Sequence, residues 1–164
     1  ENMYIVDKQI KRMCESGFLI TENYSPENVG AVSYDLTVKN IYVENIKKIS
    51  YDLEPGKTIF IGTEETLKIP ENMIGIFKER NSIMRIGLLV SAPNYQPGIC
   101  SKCFIRVTNI SENIITIEKG KKIAQIMFDT LSDVPDIPYN KQANASFNDE
   151  YEYLGKGGIS NVTL

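Results

Sequence analysis

Apolar and polar positions alternate with a period of two along most of the chain, in short runs separated by turn residues. Residues 7–16 are the exception. There Ile10, Met13 and Cys14 recur at helical spacing, and Gly17 stops the run. Strands are predicted over 18–20, 31–38 and 40–49, the last with its lysines outward, before a turn over 51–57 that carries Pro55-Gly56. Further strands are expected at 58–62, 64–69 and 73–77. A short apolar run, 83–89, reads as a helix with Ser82 as its N-cap. Residues 99–109 read as the longest strand, followed by strands at 114–117 and 122–129 around the tight turn at Gly120. Beyond Leu131 the chain is polar and turn-rich, with Pro135, Pro138 and Asn140. Many short strands with turn signals every ~8–12 residues predict an all-β sandwich or barrel, decorated by one N-terminal helix and one short central helix. The length suits a single domain over residues 1–164.

Composition narrows the chemistry. Hydrophobic residues make up 42% of the chain, enough for a core, and no apolar run is long enough to span a membrane. Residues 1–10 mix polar and apolar types, so no cleavable leader is expected there. A net charge of −3 argues against a general nucleic-acid binder, so any anion site must be local. Histidine is absent, which removes the commonest general base and the commonest zinc ligand. Three sparse cysteines, Cys14, Cys100 and Cys103, suggest a reducing, cytoplasmic setting. Cys100 and Cys103 fall three apart on a strand and point to opposite faces, so packing is expected rather than zinc or redox use.

The chemistry concentrates in residues 77–98, FKERNSIMRIGLLVSAPNYQPG. Arg80, Ser82 and Arg85 fall within six residues at a helix start, where two guanidiniums and a hydroxyl could hold a phosphate chain. On that local pattern alone, a surface turn with two solvated arginines is the commoner outcome. The motifs taken in order settle on a family. Ser33-Tyr34-Asp35-Leu36, Arg80-Asn81-Ser82-Ile83-Met84-Arg85-Ile86-Gly87-Leu88, Pro97-Gly98 leading to Asn109, Gly120 through Phe128, Pro138-Tyr139-Asn140 and a glycine-rich tail ending at Ser160 together resemble the dCTP deaminase/dUTPase family, closer to the deaminases.

The resemblance implies a distorted jelly roll or β-barrel that assembles as a homotrimer, with sites between subunits. Residues 141–164 would form a tail closing over a neighbour's site. It implies a deoxynucleoside triphosphate ligand, with Mg²⁺ and without zinc. Arg80, Asn81, Ser82 and Arg85 would grip phosphates, Gln125 would sit beside them, and Tyr139, Tyr151 and Lys156 would line or cover the nucleoside. Asp35, in the Ser-Tyr-Asp-Leu strand, is the metal-ligand candidate.

This chain departs from the family where catalysis would lie. The deaminases use a glutamate in the long strand, and the register from Gly98 to Asn109 puts Arg106 there. Strand period agrees: Lys102, Phe104 and Arg106 share the face opposite Cys103, Ile105 and Val107. A guanidinium is no general base at neutral pH. The dUTPases use an aspartate before the glycine turn, where this chain has Gln96. In the tail, Glu150 stands where the family has lysine, and Leu154 where it has the base-reading glutamine. The resulting expectation is a nucleotide-binding relative that has lost catalysis and binds or sequesters a phosphate-bearing nucleotide. Two alternatives stay open: an active dCTP deaminase or dUTP diphosphatase, and a non-catalytic trimeric interaction module.

Overall fold

The computed structural model describes residues 3–145 and 147–155. Helix α1 (Asp7–Glu15) buries Ile10 and Cys14 and leads into β1 (Leu19–Glu22). Then come β2 (Tyr34–Val43), β3 (Ile46–Lys48), β4 (Ser50–Leu53), β5 (Thr58–Lys68) and β6 (Met73–Glu79). The short helix α2 (Asn81–Arg85) separates them from β7 (Leu88–Ser91), β8 (Cys100–Asn109), β9 (Ile115–Glu118) and β10 (Lys122–Thr130). All pairings are antiparallel. The main sheet runs β6-β10-β2-β5-β8-β7, with β1 beside β5 and β3 beside β2, and β4-β9 form a separate ribbon. The expected all-β, barrel-like class is what the chain adopts. Among the described residues no helix is long and apolar enough to cross a membrane.

Several boundaries differ from the expectation, for local reasons. The chain turns back at Glu44-Asn45, both at positive φ (50° and 68°), so the strand expected over 40–49 is a hairpin. Its first half joins the strand expected over 31–38 in one long β2, whose register shifts between Val38 and Asn40. The two strands expected at 58–62 and 64–69 are likewise one, and at 11 residues β5, not β8, is the longest. A register shift between Gly62 and Thr66 absorbs the polar run that looked like a break. The turn expected at 51–57 begins inside β4.

The irregularity in β5 fills a corner of the core. Residues 34–37 of β2 pair with β10, and residues 38–42 pair with β5. At that change of partner, the buried Glu65 carboxylate accepts the Thr37 backbone N–H at 3.1 and 3.2 Å and its hydroxyl at 2.7 Å. Removing it orphans a buried N–H and leaves a void. Glu65→Ala is expected to cost about 2–4 kcal/mol, read from the urea midpoint. Burial pushes the Glu65 carboxyl above its ordinary 4.5. The unfolded chain therefore releases this proton first, and stability falls as pH rises from 4.5 through the folded-state value. Glu65→Gln should flatten that limb.

The core face of β8 carries Ser101, Cys103, Ile105, Val107 and Asn109, all buried. The other face presents Lys102, Phe104 and Arg106, as the strand period predicts.

Candidate functional site

The arginine-bearing turn follows directly from strand pairing. The β6–β10 ladder holds through Glu79↔Ala124, so Arg80 stays extended (φ −80°, ψ 138°) and becomes the residue before the helix. Ser82 is therefore inside α2 rather than its cap, and no side chain caps that helix. The helix also stops at Arg85, because Gly87 turns to φ +93° and Leu88 begins β7; it does not extend to residue 89 as expected. A five-residue helix offers little dipole, so side chains supply the positive charge.

Those side chains are already arranged around a carboxylate. Asp35 lies opposite Gln125 in the β2–β10 ladder. Its Oδ1 is 3.3 Å from Arg80 Nε and its Oδ2 is 3.2 Å from Lys122 Nζ. Gln125 Nε2 donates to the Glu79 carbonyl at 2.9 Å. Arg85 Nε donates to Asn81 Oδ1 at 3.0 Å, and Asn81, Ser82 and Arg85 are exposed. Two cations, Arg80 and Lys122, thus flank a single half-buried carboxylate, with Arg85 on the exposed helix that follows Arg80. With both Asp35 oxygens on cations, and no three His, Cys, Asp or Glu side chains grouped among the described residues, a metal here would have to be held chiefly by a ligand's own phosphates.

A second group lines a cavity of about 410 Å³. The outward face of β8 forms one wall through Lys102 and Phe104, and the loop bearing Gln96 forms another. Tyr139 adjoins it, donating its backbone N–H to the Pro97 carbonyl at 2.9 Å. The third wall is the chain's own tail. Asp149 N donates to the Cys100 carbonyl at 2.9 Å and Lys102 N donates to the Glu150 carbonyl at 3.0 Å, so the tail runs along β8. Phe147 N donates to Tyr139 Oη at 3.2 Å, and Tyr151 Oη lies 3.3 Å from Cys100 Sγ. Tyr153 enters an aromatic trio, its centroid 4.6 Å from Tyr42, 5.4 Å from Phe60 and 5.5 Å from Phe104. The ion pair of Lys47 with Glu152 at 3.5 Å closes the strap over the β2–β3 hairpin.

Arg106 faces a neighbouring groove of about 330 Å³, together with Phe60, Ser91 and Phe104. It is exposed, stands opposite Phe60 and Ser91 in the sheet, and forms no ion pair among the described residues. No acid lines that groove. Glu79, the other acid near the central stretch, accepts the Val90 N–H at 3.2 Å.

The expected residues therefore fall into two groups. Asp35, Arg80, Asn81, Ser82, Arg85 and Gln125 gather at the β2–β6–β10 end. Gln96, Arg106 and Tyr139 gather with Tyr151 along β8, and Lys156 lies outside the described residues. None of the first group lines the 410 Å³ cavity. Sequence reasoning missed Tyr153, whose position rests on the tail's pairing with a strand some fifty residues away; Glu150 is reached there only through the family resemblance. The shared face of Lys102, Phe104 and Arg106 was the available signal for the β8 wall.

A dCTP deaminase-like family model matches residues 41–131. A dCTP deaminase of Marinomonas sp. (strain MWYL1) is 31% identical over 105 residues, covering 63% of this chain and 54% of that protein. The chain thus spans about half the length of the curated relatives it matches. The fold superposes on the 2'-deoxycytidine 5'-triphosphate deaminase of Agrobacterium tumefaciens with a TM-score of 0.68 at 14% identity, over 79% of this chain and 49% of that one. The EIAV dUTPase gives 0.53 at 20% identity, over 84% of this chain and 95% of that one.

Proposed function

The chain belongs to the dCTP deaminase-like family, and from that membership we propose that it binds, and holds without converting, a phosphate-bearing nucleotide. One observation carries the loss of catalysis. Arg106 occupies the outward face of β8 where the family resemblance calls for a carboxylate, and the groove it faces contains no acid. A guanidinium cannot accept a proton at neutral pH, and losing a general base alone costs ~10²–10⁴ in rate. Gln96, the second catalytic position, does not ionise.

Arg80, Asn81, Ser82 and Arg85 grip the phosphates, with Gln125 and Lys122 beside them, while Gln96 and Tyr139 line the nucleoside cavity. Within one chain these groups do not share a cavity, which supports a site completed between copies in a homotrimer. Any Mg²⁺ travels on the ligand's phosphates, beside Asp35.

The relatives are named dCTP deaminases, and Glu150 places one carboxylate in the cavity next to the Arg106 groove, so turnover is the competing reading. Incubation with dCTP and with dUTP separates the two. Uracil nucleotide and diphosphate are expected to form at the background rate. A rate well above it that disappears in Arg85→Ala would establish an enzyme instead.

A further inference from the structure

Two charged side chains line the 410 Å³ cavity, and only one has capacity left. Lys102 Nζ is spent on Thr66 Oγ1 at 3.1 Å, the Glu64 carbonyl at 3.2 Å and Glu22 Oε2 at 3.4 Å. Glu150 Oε1 accepts the Leu154 N–H at 3.0 Å, and no donor meets Oε2 among the described residues. Burial pushes this carboxyl above its ordinary range, and no ion pair with a cation is formed by it among the described residues. The surrounding walls are aromatic, including Phe60, Phe104, Tyr139, Phe147 and Tyr153. Such walls accept the faces of a planar ring, and the volume suits a small-molecule ligand.

We infer that this cavity selects a guanine nucleotide, with the Glu150 carboxylate accepting two adjacent N–H groups from the base edge. The inference rests on the nucleotide-binding reading above and specifies its base. An ionised carboxylate only accepts hydrogen bonds, and it does so with two oxygens. Guanine is the one common base whose pairing edge carries two neighbouring donors, N1–H and the 2-amino group. Uracil and thymine flank their single N–H with carbonyl oxygens. Cytosine and adenine each set one amino group beside a ring-nitrogen acceptor. Against the pairing edge of any of these, a carboxylate that uses both oxygens would turn one of them toward an acceptor in a partly dry cavity, where an unmatched polar group is costly. The aromatic walls supply affinity without choosing a base, and Glu150 supplies the choice.

Calorimetric titration of the full chain with dGTP, GTP, dATP, dCTP and dUTP tests this, alongside Glu150→Gln. The parent chain should bind guanine nucleotides about 30-fold or more tightly than pyrimidine ones. Glu150→Gln should lose most of that margin, with guanine affinity falling and pyrimidine affinity rising, because the amide offers their carbonyls a donor. Glutamine retains an acceptor for Leu154 N–H, and a matching unfolding midpoint verifies the variant's fold. Pyrimidine affinity equal to or above that for guanine in the parent chain overturns the guanine assignment alone, whether or not the variant folds. So does an undiminished guanine preference in a folded Glu150→Gln. Failure of all five nucleotides to bind overturns the nucleotide-binding reading itself, and the assignment with it.

Discussion

Arg85→Ala is expected to bind a nucleoside triphosphate about 30- to 1,000-fold more weakly than the parent chain, with its unfolding midpoint unchanged. The Arg85 side chain is exposed, and its recorded bond is to the equally exposed Asn81 at 3.0 Å. The fold therefore loses little when it goes; surface contacts of this kind are worth well under 1 kcal/mol. A phosphate group loses a charge-assisted, two-pronged partner, worth about 2–4 kcal/mol, or about tenfold for each 1.4 kcal/mol. Parallel titrations with a triphosphate and with the bare nucleoside locate the effect. The nucleoside should bind both chains alike. Equal triphosphate affinity in the two chains would mean that phosphates do not visit this turn.

The second large effect is on stability. Gly87→Ala should lower it by about 2–5 kcal/mol, from a positive φ and a collision together. Gly87 sits at φ +93°, and a Cβ there would lie 2.5 Å from Ser111 Cβ and 3.2 Å from Ser111 Cα. The neighbour is held firmly. Ser111 donates its N–H and its hydroxyl to Asn109 Oδ1 at 2.9 and 2.7 Å, and Asn109 Nδ2 donates to the Leu53 and Asn113 carbonyls. Ile110 N also donates to the Gly87 carbonyl at 2.9 Å, so neither strand end can withdraw cheaply. Gly56→Ala is the comparison: φ is +76°, but the space around it is open. It should show the backbone cost alone, about 1 kcal/mol. Urea midpoints for the two variants that coincide would remove the steric half of the argument.

What could be read before the coordinates was whatever repeats locally. The alternation in β8 placed Arg106 outward and Cys103 inward, and both stand so. The helix face of Ile10 and Cys14 is buried as its spacing required. The features that escaped depend on partners far along the chain. Thr63 reads as a break before a new strand that opens on Glu64-Glu65, and only the β2 corner, with Thr37 needing an acceptor, explains why Glu65 is buried there. The hairpin at Glu44-Asn45 lacks the glycine that usually announces such a turn. Ser82 is a good cap by type, but the β6–β10 ladder decides where the helix begins, two residues too early for it. Glu150 has no periodicity around it, and its place follows from the tail's bonds to Cys100 and Lys102.

The tilted packing of Tyr153 against Tyr42, Phe60 and Phe104 also equips the molecule with a built-in optical gauge. The chain has nine tyrosines and no tryptophan, so no brighter chromophore masks them. Two phenol rings 4.6 Å apart couple their transitions. Whatever enters beside them and shifts the tail changes the near-ultraviolet circular dichroism and the tyrosine emission together, without any label.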